Sequence, residues 1–278
     1  MALEHTILQA MQAAEKENAP VSGDYTGEDG LLRCGSCHTP KQWRGVLPGL
    51  GMTVVACSCR CHALSCTEAR EKQRRESRIQ ALRDDAFDTL YMQQWNFAGD
   101  DHGNPALTTA MERYVTLLTE EPPEAWRGLL LSGPVGCGKT YAAAETVNAL
   151  IDREIPCKMT GFSRIAGEYQ DSRSRTDVID RLHRYRLLVI DDLGAERTTS
   201  YMNEIVYQVI DARFRSGLPL IVTTNLTLEE IKKPQSPENQ RIYSRILEMC
   251  HPIAVSGRDR RRQKAADHYN AMKAYLGL

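Results

Sequence analysis

Apolar and polar positions change rhythm several times along the chain. Over residues 1–20 they alternate at a helix-compatible spacing, which predicts a helix ending at Pro20. Residues 21–30 are rich in Gly, Asp and Thr and read as a loop. From Thr67 to Arg78 the pattern is strongly charged, with mixed signs and no Gly or Pro, and predicts an exposed helix carrying i,i+4 pairs. Residues 84–104 introduce Phe87, Tyr91, Trp95 and Phe97, then Gly-Asp-Asp-His-Gly-Asn-Pro; this reads as a boundary segment whose aromatics pack on the core that follows. A helix from Ala106 to Leu118 is expected next.

Beyond residue 120 the rhythm becomes one of short apolar runs separated by helical stretches. Leu129-Leu130-Leu131, Leu187-Leu188-Val189-Ile190 and Pro219 to Asn225 are runs of the kind that strands make when both faces are buried. Cys157 to Phe162 is a further strand candidate. Tyr141 to Ile151, with Ala142-Ala143-Ala144, and Ser163 to Tyr169 lie between them as helices. Strands alternating with helices give an α/β fold with a parallel sheet flanked by helices.

The first apolar run leads into Gly133-Pro134-Val135-Gly136-Cys137-Gly138-Lys139-Thr140, the spacing of a phosphate-binding loop. Glycines let the backbone curl so that its N–H groups face phosphate oxygens. Lys139 then reaches the β- and γ-phosphates, the Thr140 hydroxyl binds Mg²⁺, and the helix opening at Lys139 and Tyr141 adds the positive end of its dipole. The second run ends in Asp191-Asp192, which a parallel strand would deliver beside that loop. Asp191 is expected to hold Mg²⁺ and Asp192 to orient or deprotonate the attacking water. Asn225, at the end of the third run, is placed to bond the γ-phosphate or that water. ATP or ADP with Mg²⁺ is the expected ligand, and the aromatics of residues 84–104 are alternative contributors to the adenine pocket.

Net charge is −1, so any nucleic-acid surface must be a local patch. No apolar run approaches the roughly 20 residues that span a bilayer, and the first residues lack the basic and apolar regions of a secretory signal. A cytoplasmic location, with no membrane partner, is the expectation.

Nine cysteines, an odd number, argue against a disulfide framework. Six fall between Cys34 and Cys66. Cys34-Gly-Ser-Cys37 presents two thiolates to one ion, and Cys57-Ser-Cys59-Arg-Cys61 supplies the rest, so five cysteines compete for four tetrahedral Zn²⁺ positions. Cys34 and Cys37 form one pair; which two of Cys57, Cys59 and Cys61 complete the set is open. His38 and His62 are weaker candidates, Cys66 a bystander, and a redox switch or unliganded thiols are the competing readings. The asymmetry predicts two modules: residues 1–83, a zinc-binding domain with a charged helical linker, and residues 84–278, the nucleotide-binding domain.

Gly-Pro-Val-Gly-Cys-Gly-Lys-Thr, Leu-Leu-Val-Ile-Asp-Asp-Leu-Gly-Ala-Glu, Ile-Val-Thr-Thr-Asn-Leu, Arg241-Ile-Tyr-Ser-Arg245-Ile-Leu-Glu and Ser256-Gly257-Arg258-Asp259-Arg260-Arg261 occur in that order. The ordered set resembles the AAA+ ATPases of the DnaC/IstB-like family, the replicative-helicase loaders, over about Ala106 to Arg262. The resemblance implies an AAA+ P-loop fold and slow ATP hydrolysis stimulated by DNA or a partner. It also implies an arginine finger at Arg245 acting on a neighbouring subunit, with Arg241 one turn earlier able to share the role. Arg261, or else Arg258 or Arg260, is the implied sensor arginine. The implied partners are a DnaB-type hexameric helicase, gripped through the N-terminal module, single-stranded DNA and further copies of the chain. Lys158, Arg164, Arg173 and Arg175 are the candidate strand contacts. Many AAA+ proteins carry Asp-Glu where this chain has Asp191-Asp192, which puts the rate of hydrolysis in question. A transposition helper ATPase of the IstB type, and a zinc-dependent adaptor that binds nucleotide with little turnover, are the alternatives.

Overall fold

The computed structural model describes residues 2–171, 175–194, 199–234 and 236–277. The chain divides into two compact units, residues 1–77 and 78–278.

The N-terminal unit opens with α1 (Ala2–Glu17), which stops three residues short of Pro20. Two short strands, β1 (Tyr25–Thr26) and β2 (Leu32–Arg33), pair antiparallel. A hairpin of β3 (Gln42–Leu47) and β4 (Gly51–Ala56) follows, in register Gln42↔Ala56 to Leu47↔Gly51. The hairpin is absent from the expectations above. The charged helix is longer than Thr67–Arg78: α2 runs Arg60–Ala86, starting inside the cysteine segment and crossing the division between the units. Lys72 and Glu76 form one of its i,i+4 pairs, at 4.0 Å. Among the described residues of this unit only Asn18, Cys34, Lys41 and Cys59 are buried. Lys41 Nζ lies 2.6 Å from Asp24 and donates to the Ala19 carbonyl, and Ser58 Oγ donates to Asn18. Polar ties and four sulfurs thus stand where an apolar core would be.

The C-terminal unit is built around a sheet. In α3 (Pro105–Glu120), Pro105 occupies the first helical turn and the Asn104 side chain accepts from the Leu107 N–H. Then come β5 (Gly128–Ser132), α4 (Lys139–Ile151), β6 (Cys157–Thr160), α5 (Phe162–Asp171), α6 (Arg175–Leu182) and β7 (Leu187–Leu193). The chain continues as α7 (Ser200–Ser216), β8 (Leu220–Thr224), α8 (Leu228–Lys232), α9 (Pro237–Met249), β9 (Cys250–Ala254) and α10 (Arg260–Leu276). The strands run parallel in the order β6-β7-β8-β5-β9.

Both faces of the sheet are covered, which explains the unbroken apolar runs. Leu129 and Leu131 join Val189 and Ile221 in one core cluster with α3 and α4; Leu130 joins Leu188, Ile190 and Val222 in a second, with α5, α7 and α9. Arg213, 1% exposed, is the exception in this packing. Its guanidinium donates to the carbonyls of Leu182, Tyr185, Arg186 and Pro219, tying the entries of β7 and β8 together. Desolvation draws its pKa down to about 10. No helix among the described residues is long and apolar enough to cross a membrane.

Candidate functional site

β5 delivers the chain into the loop 133–138 at the carboxyl edge of the sheet, where β7 and β8 also end. A Cβ on Gly133 would lie 2.0 Å from the Val255 carbonyl oxygen, and one on Gly136 (φ +80°) 2.0 Å from Asp259 Oδ1. Only glycine fits at either position, and the cradle is shaped for backbone N–H groups to approach a ligand. Lys139 Nζ is buried and donates to the carbonyls of Gly133 (2.7 Å) and Pro134 (2.8 Å) and to Asn225 Oδ1 (2.9 Å). Thr140 Oγ1 and Thr223 Oγ1 donate to the same Asp191 oxygen, at 2.9 and 2.7 Å. A hydroxyl and a carboxylate converging beside a phosphate cradle are a donor set suited to Mg²⁺.

Asp192 has φ +61°, the left-handed region that costs a side-chain-bearing residue of order 1 kcal/mol or more. The strand pairing shifts register here, between Ile190 and Leu193, so the two adjacent carboxylates point to different partners. The Asp192 N–H donates to Thr223 Oγ1, and its carboxylate accepts from Asn225 Nδ2 at 2.7 Å. Lys139, Asn225 and Asp192 thereby form one hydrogen-bonded chain. Thr223 braces both acids; its place two residues before Asn225, at the end of the same apolar run, was the available signal for it.

A cavity of about 410 Å³ extends from this chain, walled by Trp95, Asp100, Asp101, Val135 and Tyr141. The Trp95 and Tyr141 rings lie 5.0 Å apart at 33°. Phe87 is buried in the core and Phe97 packs against it, whereas Trp95 both packs there and lines the cavity. Arg260 and Arg261 also line it. Arg260 is the better anchored: its N–H donates to the Gly136 carbonyl, and its guanidinium lies 2.7 Å from Asp101 and 3.5 Å from Asp100. Arg261 is exposed, and Arg258 is exposed and outside the lining. Within α4, Glu145 is 1% exposed and its Oε2 has no partner among the described residues. Burial first, then Asp100 and Glu112, push its pKa up to about 8, against the pull of Arg260.

Arg245 is engaged within its own chain. It lies 2.7 Å from Asp211, donates to Tyr207 Oη at 3.3 Å, and covers the Phe214 ring at 5.1 Å. Arg241, one turn earlier on α9, is exposed. Lys158 is a poor strand contact: it is held 3.1 Å from Asp88 and donates to the Asp85 carbonyl. Arg164 is more than half exposed but pairs with Asp88 and Glu168. Arg173, the Arg175 side chain, and Ala195-Glu196 lie outside the described residues.

In the N-terminal unit the sulfurs of Cys34, Cys37, Cys59 and Cys61 all lie within 4.8 Å of one another. Cys57 is outside the group, its thiol directed at the Pro40 carbonyl, 3.8 Å away. Cys66 faces His62 Nε2 and His38 faces the Tyr25 hydroxyl. The sulfurs are in mutual conflict. The Thr39 hydroxyl, chiefly, draws Cys37 down to about 5, while the hydrogen bonds that the Cys61 thiol donates to Cys59, then to Cys37 and Cys34, push Cys61 up to about 12. A divalent soft cation replaces the shared protons and removes that conflict, so four thiols without an open position fit structural Zn²⁺.

The sheet order and the cradle at the carboxyl end of β5 define a nucleotide-binding domain of the AAA+ P-loop type. The chain belongs to the IstB-like ATP-binding protein family, which matches residues 103–267. The replicative helicase loader DnaI of Bacillus subtilis is 27% identical over 192 residues, 62% of this chain and 61% of that protein. An ATP-binding protein in an insertion sequence of Mycobacterium tuberculosis is 26% identical over 170 residues, 59% of this chain and 67% of that one. The crystal structure of DnaI superposes with a TM-score of 0.53 at 25% identity, over 63% of this chain and 95% of that structure.

Proposed function

We propose that the chain is an ATP-controlled loader that places a replicative hexameric helicase on single-stranded DNA. The observation that carries the reading is the Lys139–Asn225–Asp192 chain beside the Thr140–Asp191 pair, in a protein similar to DnaI. Asp192 takes the proton of the attacking water, and Asn225 holds its carboxylate in line. Lys139 exchanges the Gly133 and Pro134 carbonyls for phosphate oxygens. Thr140 and Asp191 would hold Mg²⁺, which would neutralise charge on those oxygens. Trp95 and Tyr141 offer the base a stacking surface, and Arg260, with Arg261 behind it, senses the phosphates. Arg245 reaches the neighbouring subunit after leaving Asp211, with exposed Arg241 as the alternative finger. The N-terminal unit, closed by Zn²⁺ on Cys34, Cys37, Cys59 and Cys61, engages the helicase.

The match to an insertion-sequence ATP-binding protein favours a second reading, a transposition helper of the IstB type. The test is ATP turnover of wild type and Lys139→Ala with and without single-stranded DNA, alongside capture of helicase or transposase. Turnover lost in the variant, with helicase retained by wild type, supports the loader. Capture of transposase instead overturns it.

A further inference from the structure

α10 has almost no packing of its own. Every described side chain from Arg261 to Gly277 is exposed, over a helix of 17 residues. Helix propensity alone holds such a segment weakly; in proteins most helical stability comes from burying an apolar stripe. The stripe is present. Ala265, Tyr269, Met272 and Leu276 recur at spacings of four, three and four, which puts them on one face, and the last three are 67%, 46% and 59% exposed. Arg262 and Lys273 flank it.

The same unit contains a surface with complementary character. A groove of about 670 Å³ runs between α6 and α7, lined by Ile179, Tyr207, Gln208 and Ala212. Its α7 wall is also 17 residues long, so a helix the length of α10 can lie along it. Beside the groove the two wall helices expose Asp180 and Glu204, opposite in sign to the flanks of the stripe; in its lining, His183 stands with Arg215, which is held 2.5 Å from Asp211. Asp211, in the groove lining, is the residue that holds Arg245. At its other end α10 is rooted in the nucleotide cavity through Arg260 and Arg261.

We propose that α10 of one copy seats its Ala265–Tyr269–Met272–Leu276 stripe in the α6–α7 groove of the next copy. This rests on the reading above that the chain assembles with Arg245 acting between subunits, and names the segment that makes the joint. The contact is head-to-tail, so it propagates from copy to copy. It brings the Arg245 side of one subunit and the arginine-bearing root of the neighbour's α10 to a common interface. Asp211 is contacted as the helix seats, which couples assembly to release of Arg245.

The experiment uses the full chain with a photo-crosslinking amino acid at position 272, ATP with Mg²⁺, and mass-spectrometric mapping of adducts. Mass photometry of wild type, Arg245→Ala and the double variant Tyr269→Glu, Met272→Glu runs beside it, with binding of a fluorescent ATP analogue as the folding control. The expected result is an intermolecular adduct on α6 or α7 and at least a 10-fold weaker self-association of the double variant at unchanged nucleotide affinity. Normal assembly of the double variant, or adducts only on DNA, on added helicase or elsewhere on the chain, overturns the proposal while leaving subunit assembly intact. A wild-type chain that stays monomeric with every nucleotide overturns both.

Discussion

The two units are held together by different physics. The C-terminal unit buries Leu, Ile and Val side chains on both faces of a five-stranded sheet, each contributing ~1.5–3 kcal/mol on burial. The N-terminal unit buries four described residues, two of them cysteines, and its other ties are two short strand pairings, ion pairs such as Lys41–Asp24, and side-chain hydrogen bonds. One unit has an extended apolar core; the other gathers four cysteine sulfurs within 4.8 Å of one another and buries little else. A chemical change that is negligible to the first is therefore decisive for the second.

The sharpest way to break this contrast is to challenge the zinc site proposed at Cys34, Cys37, Cys59 and Cys61. Chelation, or Cys34→Ser with Cys59→Ser, is expected to unfold residues 1–77, because structural zinc contributes roughly 10–16 kcal/mol in small domains. Nucleotide binding by residues 78–278 survives. Limited proteolysis with a nucleotide-affinity measurement reads both; simultaneous loss would show that the units are not separately stabilised. In the C-terminal unit, Asp192→Asn is expected to lower ATP turnover ~10²–10⁴-fold while ATP still binds, the range for losing a general base. Equal loss of binding would make Asp192 a structural residue.

Arg213→Met strands the carbonyls of Leu182, Tyr185, Arg186 and Pro219 in the core and should cost ~3 kcal/mol. Thermal unfolding of the C-terminal unit measures it, and an unchanged Tm would remove Arg213 from this account. The smallest effect is a pH dependence at Glu145. Its folded pKa, about 8, lies above the unfolded 4.5, so the native state binds the proton more tightly. Stability from this group is complete below pH ~4.5 and declines as pH rises through ~8. Glu145→Gln should thus raise Tm more at pH 8.5 than at pH 5.5; a pH-independent difference contradicts the assignment.

What was legible in the sequence follows the same contrast. Leu129-Leu130-Leu131 and the 133–140 loop were readable because a doubly covered strand leaves an unbroken apolar run and a phosphate cradle is local. β9 was not, since Cys250-His-Pro-Ile-Ala mixes polarity and a proline, as an edge strand with one partner can. The Arg245–Asp211 pair joins positions 34 residues apart and has no local signature. Arg260 displaces Arg261 as the better-anchored arginine because the loop carbonyl of Gly136 and two acids from another segment hold it. Among the cysteines, Cys-Ser-Cys-Arg-Cys is degenerate in spacing. The choice falls to Cys59 and Cys61 because α2 starts at Arg60 and turns them toward Cys34 and Cys37, leaving Cys57 at the end of β4.

The measurement that tests the central claim most directly is loading itself. The cognate replicative helicase would be offered circular single-stranded DNA with wild-type chain, Lys139→Ala, and the Cys34→Ser, Cys59→Ser variant, and DNA-bound helicase counted. The account predicts ATP-dependent loading by wild type, none by the cysteine variant, and loss of the ATP dependence in Lys139→Ala. Helicase loading that is the same with and without the wild-type chain would contradict it.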